Sequence, residues 1–423
     1  MPTQLPYRHF PVRPNLDQLR NQAKDLLREI RRGEPNALAE LGKHHPKPIA
    51  PAEAKLADAQ LALARSYGLA SWPRLVTACH MTEAIWRGES ETVRRLVQKD
   101  PRLLHEAARG LADSNWGPPM SYAANVGQTE IIEMLRAMGA TDVQHAFDRA
   151  CLQGKIETAR RLHAMGARPT SGGIMGCCET VNAEGMRLLL DLGAQLTGED
   201  GDPNAPVALL LQTYSRDPQG KHACLDLVAA HGRTLPDTPP MAVHRGRVDL
   251  LEAHLRRDPD LVRRTFSHED IYPSGLGCGP DPTFALQGTP LAGTTLLHIC
   301  VEFDEIEIAR WLIEHGADVN AKAEVDAEGF GGQTPLFHCV VNDSYLCGRQ
   351  RDGEFVRLLL DHGADPNVRA SLRKQLRFLP DTSLHEYHDV TPLAWGERFH
   401  GERYHNWVNK PAMELIAARG GRS

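Results

Sequence analysis

Apolar positions in this chain fall in short stripes, each held between two stop signals twelve residues apart. The pairs are Gly88 and Asp100, Gly127 and Gly139, Gly154 and Gly166, Gly220 and Gly232, Gly246 and Asp258, and Asp304 and Gly316. One stripe reads Glu130-Ile131-Ile132-Glu133-Met134-Leu135, with neighbours three and four apart on one helical face. A fixed spacing that recurs in this way predicts stacked helical hairpins, because so short a helix is unstable alone and must bury its stripe on a neighbour.

The most regular units lie toward the C-terminus. One runs Thr294-Thr295-Leu296-Leu297-His298, then Ile306 to Ile313, then His315-Gly316-Ala317-Asp318-Val319-Asn320-Ala321. The next runs Gly332-Gln333-Thr334-Pro335-Leu336-Phe337-His338, then Phe355 to Leu360, then His362-Gly363-Ala364-Asp365. Thr334 suits an N-cap, Pro335 the first helical turn, and Gly363 a left-handed stop. These segments resemble the ankyrin repeat, most closely over 292–322 and 331–370. Segments 117–140 and 390–420 follow more loosely, and 81–105, 144–168, 172–194, 205–232 and 240–262 share mainly the frame.

The resemblance implies an all-α, curved solenoid of about nine repeats. Its period is about 33 residues, yet Gly139, Gly166 and Gly193 are 27 apart, so the middle units are expected to lack the projecting finger. Asp100-Pro101 and Asp258-Pro259 replace the usual Gly-Ala stop.

Ahead of the repeats, Asn15 with Gln18 starts a helix carrying Leu16, Leu19, Leu26, Leu27 and Ile30, closed by Gly33. A second helix is predicted over roughly Ala52 to Tyr67, with Leu56 and Leu63 inward, and Ser71-Trp72-Pro73 opens a third. The segment resembles a leader found before many bacterial ankyrin-type proteins and would cap the first repeat. The expected division is therefore a helical cap over 1–80, compact degenerate repeats over 81–262, and repeats with long loops over 263–423.

Composition changes this picture little. Hydrophobic residues make up 41%, charged residues 24%, and the net charge is −6. The signs are interspersed, so no basic face points to nucleic acid. No apolar run reaches the length of a membrane span, and no apolar leader precedes Pro14. Nine cysteines without a Cys-x-x-Cys motif fit a reducing cytoplasm, with Cys151, Cys177, Cys178, Cys300 and Cys339 on inner helices. A monomer without cofactor is expected.

In the family frame, the residues before each interhelical turn face a concave groove. They include Trp86, Arg87, Asn125, Gln153, Glu179, His244, Arg245, Glu302, Phe303, Asn342, Arg398 and Phe399, the candidate contacts for a protein or peptide partner. Trp86, Phe303 and Phe399 are expected to stand exposed there; the alternative is that they pack under a neighbouring loop.

A second candidate is the set of insertions at 265–291, 322–332, 343–353 and 370–389, which emerge in the last three repeats and are expected to meet on one side. The function read from these features is a non-catalytic scaffold or adaptor. Two rivals remain: a secreted effector using the same groove, and an enzyme or metal site built on the loops.

The loops do hold chemistry. His385 and His388 would share one face of a helix; with His268, His400 and His405 they are the histidines the repeat pattern leaves unexplained, and Glu269, Asp270, Glu386, Asp389 and Glu402 lie beside them. Cys278, between glycines, is a candidate exposed nucleophile with His268 as its base. His298 and His338 belong to the helix-start pattern of the repeat, and no phosphate loop, dinucleotide fingerprint or Gly-x-Ser-x-Gly occurs.

Overall fold

The computed structural model describes residues 8, 10–111, 114–280, 288–342, 353–376, 383–400 and 408–423. They form two compact units, one ending at Arg168 and one spanning Pro169–Ser423.

The first unit contains α1 (Leu16–Arg32), α2 (Pro35–His44), α3 (Leu56–Ser66), α4 (Trp72–Trp86), α5 (Ser90–Lys99), α6 (Pro119–Val126), α7 (Thr129–Ala137), α8 (Val143–Leu152) and α9 (Ile156–Ala164). The Asn15 side chain caps α1 by accepting from the Gln18 N–H at 3.0 Å, as the sequence predicts. Pro35, directly after the Gly33–Glu34 stop, starts α2, a helix the apolar pattern does not announce. Leu19, Ala23, Leu26, Ile30, Leu41, Ala59, Leu63 and Leu75 join one core that runs from α1 into α4. Leu56 departs from expectation: it opens α3 on the outer side and stays exposed.

From α4 onward the helices come in hairpins. The inner helices α4, α6 and α8 pack side by side, and α5 packs against α7 behind them. Gly127 closes α6 at φ 82° and φ of this sign favours glycine. Asp100, in extended conformation before Pro101, ends α5 and leads into a single 3-10 turn. The finger is missing between α7 and α8 and between α9 and the next unit's first helix, where only 138–142 and 165–170 connect.

The second unit contains α10 (Ser171–Glu179), α11 (Ala183–Asp191), α12 (Ala205–Gln212), α13 (Pro218–Ala230), α14 (Pro239–His244), α15 (Val248–Arg257), β1 (Thr265–Phe266), α16 (His268–Ile271), β2 (Thr294–Thr295), α17 (Leu296–Phe303), α18 (Ile306–Glu314), α19 (Pro335–Val340), α20 (Glu354–Asp361), β3 (Ala370–Lys374), β4 (His385–Val390), α21 (Pro392–Arg398) and α22 (Lys410–Ala418). Inner helices α14, α17, α19 and α21 pack in succession.

Two sequence expectations fail here for local reasons. Gly220 is not a stop but lies in the first turn of α13, where an added Cβ would come within 2.4 Å of the Val181 carbonyl oxygen. It is a close-packing glycine. Thr334 occupies the N-cap of α19 but makes no capping bond. In α17, Thr295 meets His298 three residues on, at 2.9 Å. In α19 the histidine comes one residue later, at 338, and turns elsewhere.

Candidate partner-binding surface

Both units place the chain's own segments over the ends of their inner helices. In the first unit, residues 10–14 run past α4 and α6. Phe10 is buried against Tyr67, with ring centroids 5.4 Å apart, and its carbonyl accepts from Arg109. The Val12 carbonyl accepts from the Tyr122 hydroxyl at 2.7 Å, which in turn accepts from Trp86 Nε1 at 2.7 Å. Arg13 stacks over the Trp86 ring and donates twice to Glu83, at 2.9 and 3.1 Å. Trp86 is thus half-buried and hydrogen-bonded, not a bare anchor. Asn125 is buried, holding the Ser121 carbonyl and accepting from Arg149 Nε at 2.8 Å. Arg87 and Gln153 keep solvent contact.

In the second unit the covering is tighter. The Gly288 N–H donates to Glu302 Oε1 at 3.2 Å, and an added Cβ there would lie 2.3 Å from the Val341 carbonyl oxygen. Only glycine permits that approach. Thr289 donates to the Val341 carbonyl at 2.8 Å and accepts from Trp395 Nε1 at 3.1 Å; Gln333 donates to the Pro290 carbonyl at 2.9 Å. Earlier in the same insertion, Tyr272 packs beside Phe303 and His244. The inner side is filled from within.

The expected exposure of Phe303 and Phe399 is therefore wrong: both are buried, as the packing alternative holds. His244, Glu302 and Asn342 are buried too. With Asn125, six of the candidates are buried; the chain's own Gly288 lies against Glu302 and Asn342, and its Tyr272 against His244 and Phe303. Glu179 (accepting from Tyr214 at 2.8 Å) and Arg245 remain half-exposed, and Arg398 is exposed.

Beneath the covering segment lies a buried polar network invisible in the sequence. Glu302 accepts from Arg216 Nη2 at 3.2 Å and from His338 Nδ1 at 3.0 Å, all with side chains closed to solvent. Arg216 Nε also reaches the Glu302 carbonyl at 2.7 Å. Lys221 donates to His244 Nδ1 at 2.7 Å, and the His244 Nε2–H faces the Ile271 carbonyl at 3.3 Å. Burial drives both far below their ordinary pKa values, with Arg216 adding to the effect on Lys221 and Lys221 to that on His244. The Arg216 guanidinium and the Lys221 amine both lie over the Phe303 face, Lys221 Nζ at 3.8 Å from its centroid. Such a network fixes one arrangement of the inner helices at a desolvation cost.

The loop chemistry raised by the sequence takes a different form. His385 and His388 lie on strand β4, not a helix, so a spacing of three sends them to opposite faces. His388 is exposed beside Phe330, and His385 stacks near His400. Cys278 is buried, its pKa pushed up to about 12 by desolvation, and His268 bonds the Gly279 carbonyl rather than the thiol. It is not the exposed nucleophile the glycines suggested. Among the described residues no group of three or more His, Cys, Asp or Glu side chains could hold a metal ion. The candidates Glu402 and His405, with Cys347 and insertion residues 281–287, 343–352 and 377–382, lie outside the described residues.

The described parts of three insertions do meet. β1 pairs with β2 (Thr265 opposite Thr295), the Glu324 N–H donates to the Gly293 carbonyl at 2.8 Å, and Gly331 bridges to Ser371 at 2.7 Å. Arg373 on β3 lies over the Phe330 ring and pairs with Asp326 at 2.6 Å and with Glu328. Around these contacts opens a cavity of about 210 Å³, and Val325 at its edge is 61% exposed, among the few large apolar side chains left open to water.

Residues 242–370 match the family model described as ankyrin repeats, in three copies. Over that segment the chain is built of ankyrin repeats. Similar solved structures include the crystal structure of the human ASB11 ankyrin repeat domain, 16% identical, covering 72% of this chain and 99% of that chain with a TM-score of 0.25. No curated protein matches the sequence. Ankyrin repeats generally mediate protein–protein interaction. Among the described residues no helix is long and apolar enough to cross a membrane.

Proposed function

We propose that the protein is a non-catalytic scaffold or adaptor of a bacterial cytoplasm, acting as a monomer that binds a protein or peptide partner. The observation that carries this reading is the loop-built face of the second unit. There the insertions around Thr265, Glu324, Gly331 and Ser371 are tied together by backbone bonds, and Val325 is left exposed. A preformed face of this kind binds with little ordering cost. The inner side contributes only where it is still open, through Arg87 and the accessible edge of Trp86 in the first unit and through Gln153, Glu179, Arg245 and Arg398. Arginine and aromatic groups at such positions suit protein contacts.

Affinity capture with mass spectrometry, run on the wild type, on Val325→Glu and on Arg87→Glu with Arg398→Glu, tests the reading. One partner should be enriched by the wild type and lost with Val325→Glu. Enrichment of no protein, or of one indifferent to every variant, would overturn it.

A further inference from the structure

In the first unit, residues 10–14 are held as a peptide ligand is held. They read Phe-Pro-Val-Arg-Pro and belong to no helix or strand. Two prolines remove two N–H groups and much backbone freedom, which lowers the entropy cost of docking such a chain. Pro11 and Arg13 stay exposed, so the segment lies on the surface and is gripped from one side.

The grip comes from side chains. Phe10 is 1% exposed, packed on Tyr67, with the Arg109 guanidinium 5.9 Å over its ring and bonded to its carbonyl. The Tyr122 hydroxyl takes the Val12 carbonyl, a backbone group that any residue there would offer. Arg13, three residues after Phe10, sits 5.3 Å over the Trp86 ring and donates twice to Glu83. Aromatic and arginine side chains are the types that carry most binding energy at protein interfaces.

The receiving groups are fixed to one another without the segment. Trp86 of α4 donates to Tyr122 of α6, and Arg87 Nε pairs with Glu83 at 2.7 Å. The fit is also incomplete. A cavity of about 420 Å³ stays open beside the segment, between Arg13, Pro14 and Arg20 on one side and His80, Glu83 and Arg87 on the other. A longer peptide that fills this space buries more surface than the chain's own residues do.

We propose that residues 10–14 are an intrasteric ligand, occupying a site for an extended partner peptide of the form aromatic-x-x-Arg. The aromatic ring of that peptide rests on Tyr67, its arginine lies between Trp86 and Glu83, and its carbonyls meet Arg109 and Tyr122. The proposal rests on the partner-binding reading of the chain. It adds a second contact and a regulation, because the partner must displace the segment. A tethered segment faces its site at an effective concentration on the order of millimolar, so a short free peptide competes poorly with it.

The test is fluorescence-anisotropy titration of the full chain with the labelled peptide Phe-Pro-Val-Arg-Pro-Asn-amide. The proteins are wild type, Arg13→Ala, and Phe10→Ala combined with Arg13→Ala. Relative to wild type, affinity should rise about threefold in Arg13→Ala, the worth of an exposed ion pair. In the double variant it should rise at least about tenfold, and the peptide should raise that protein's melting temperature. Peptides with Ala for Phe, or Glu for Arg, should bind the opened protein at least about tenfold more weakly. Arg13 is half-exposed, so the single variant keeps the test decisive if the double variant fails to fold. No binding to the opened proteins, equal affinity for all of them, or indifference to the peptide's Phe and Arg would overturn the proposal. A concentration-dependent dimer of the wild type, seen by sedimentation, would give the site to a second copy and overturn it too. If the peptide fails while Val325→Glu still abolishes partner capture, this proposal alone falls. If the peptide binds the opened proteins while capture ignores the loop face, the loop-face reading falls and the intrasteric site stands.

Discussion

Arg216 and Glu302 form an ion pair at 3.2 Å with neither side chain open to solvent, although 86 residues separate them. Arg216 belongs to the connection between α12 and α13, and Glu302 lies in the last turn of α17, so the pair joins segments on either side of the hairpin α14–α15 in the sequence. Breaking one partner leaves the other charge buried. Arg216→Met or Glu302→Gln should each cost about 3–5 kcal/mol, and the double substitution less than their sum. Urea unfolding of the four proteins measures this; strictly additive losses would mean that the pair is not coupled.

Phe303→Ala and Phe399→Ala should each destabilise the second unit by about 3–5 kcal/mol, since both rings are fully enclosed. Trp86→Phe should cost only about 1 kcal/mol, the value of the bond to the Tyr122 hydroxyl. Thermal melts of the three variants should separate them in that order. A Phe303→Ala protein as stable as wild type would return that ring to the surface.

His298 gives the protein a sensitivity to acid. Burial first, then the neighbouring His338, lowers its pKa from 6.5 to about 3. The unfolded chain takes up a proton as pH falls below about 6.5, while the folded protein does not until about 3. Stability from this group is therefore complete above 6.5 and lost progressively between 6.5 and 3, at about 1.4 kcal/mol per pH unit. His244 acts in the same direction. Urea midpoints from pH 7 to 4 should fall accordingly, and a folded-state His298 imidazole titrating near 6.5 by NMR would contradict the assignment.

The buried Cys278 thiol, held up to about 12, should resist a thiol reagent at pH 8 in the folded protein and react at once in denaturant. Peptide mapping after brief labelling identifies it. Rapid native labelling at 278 would mean that its loop is not packed as described.

Where the chain reports on local physics, the sequence was readable. Asn15 and Ser71 cap the helices expected of them, Asp100 and Asp258 end helices before proline, and left-handed Gly127 and Asp304 close inner helices. Legibility ended where a side chain's role depends on distant residues. Gly220 looked like a stop because the backbone approach of Val181, which makes it necessary, leaves no periodic trace. His338 looked like a copy of His298, yet a shift of one residue gives it Glu302 instead of the N-cap threonine. Phe303 and Phe399 occupy groove positions in the repeat frame, and nothing in that frame announces that Tyr272 and His244 will pack on the first or Trp395 and His400 on the second.

The central claim is that the inner side of the C-terminal repeats is closed by the chain's own segment, leaving the loop face for the partner. Hydrogen–deuterium exchange on the purified chain tests it directly at Gly288, Gly293 and Glu324, whose N–H groups bond to Glu302 Oε1, the Phe266 carbonyl and the Gly293 carbonyl. The account predicts protection at these three amides close to that of α17, and loss of protection across residues 288–293 on Gly288→Ala. Exchange of all three at the rate of unstructured chain, with α17 still protected, would show an open groove and contradict it.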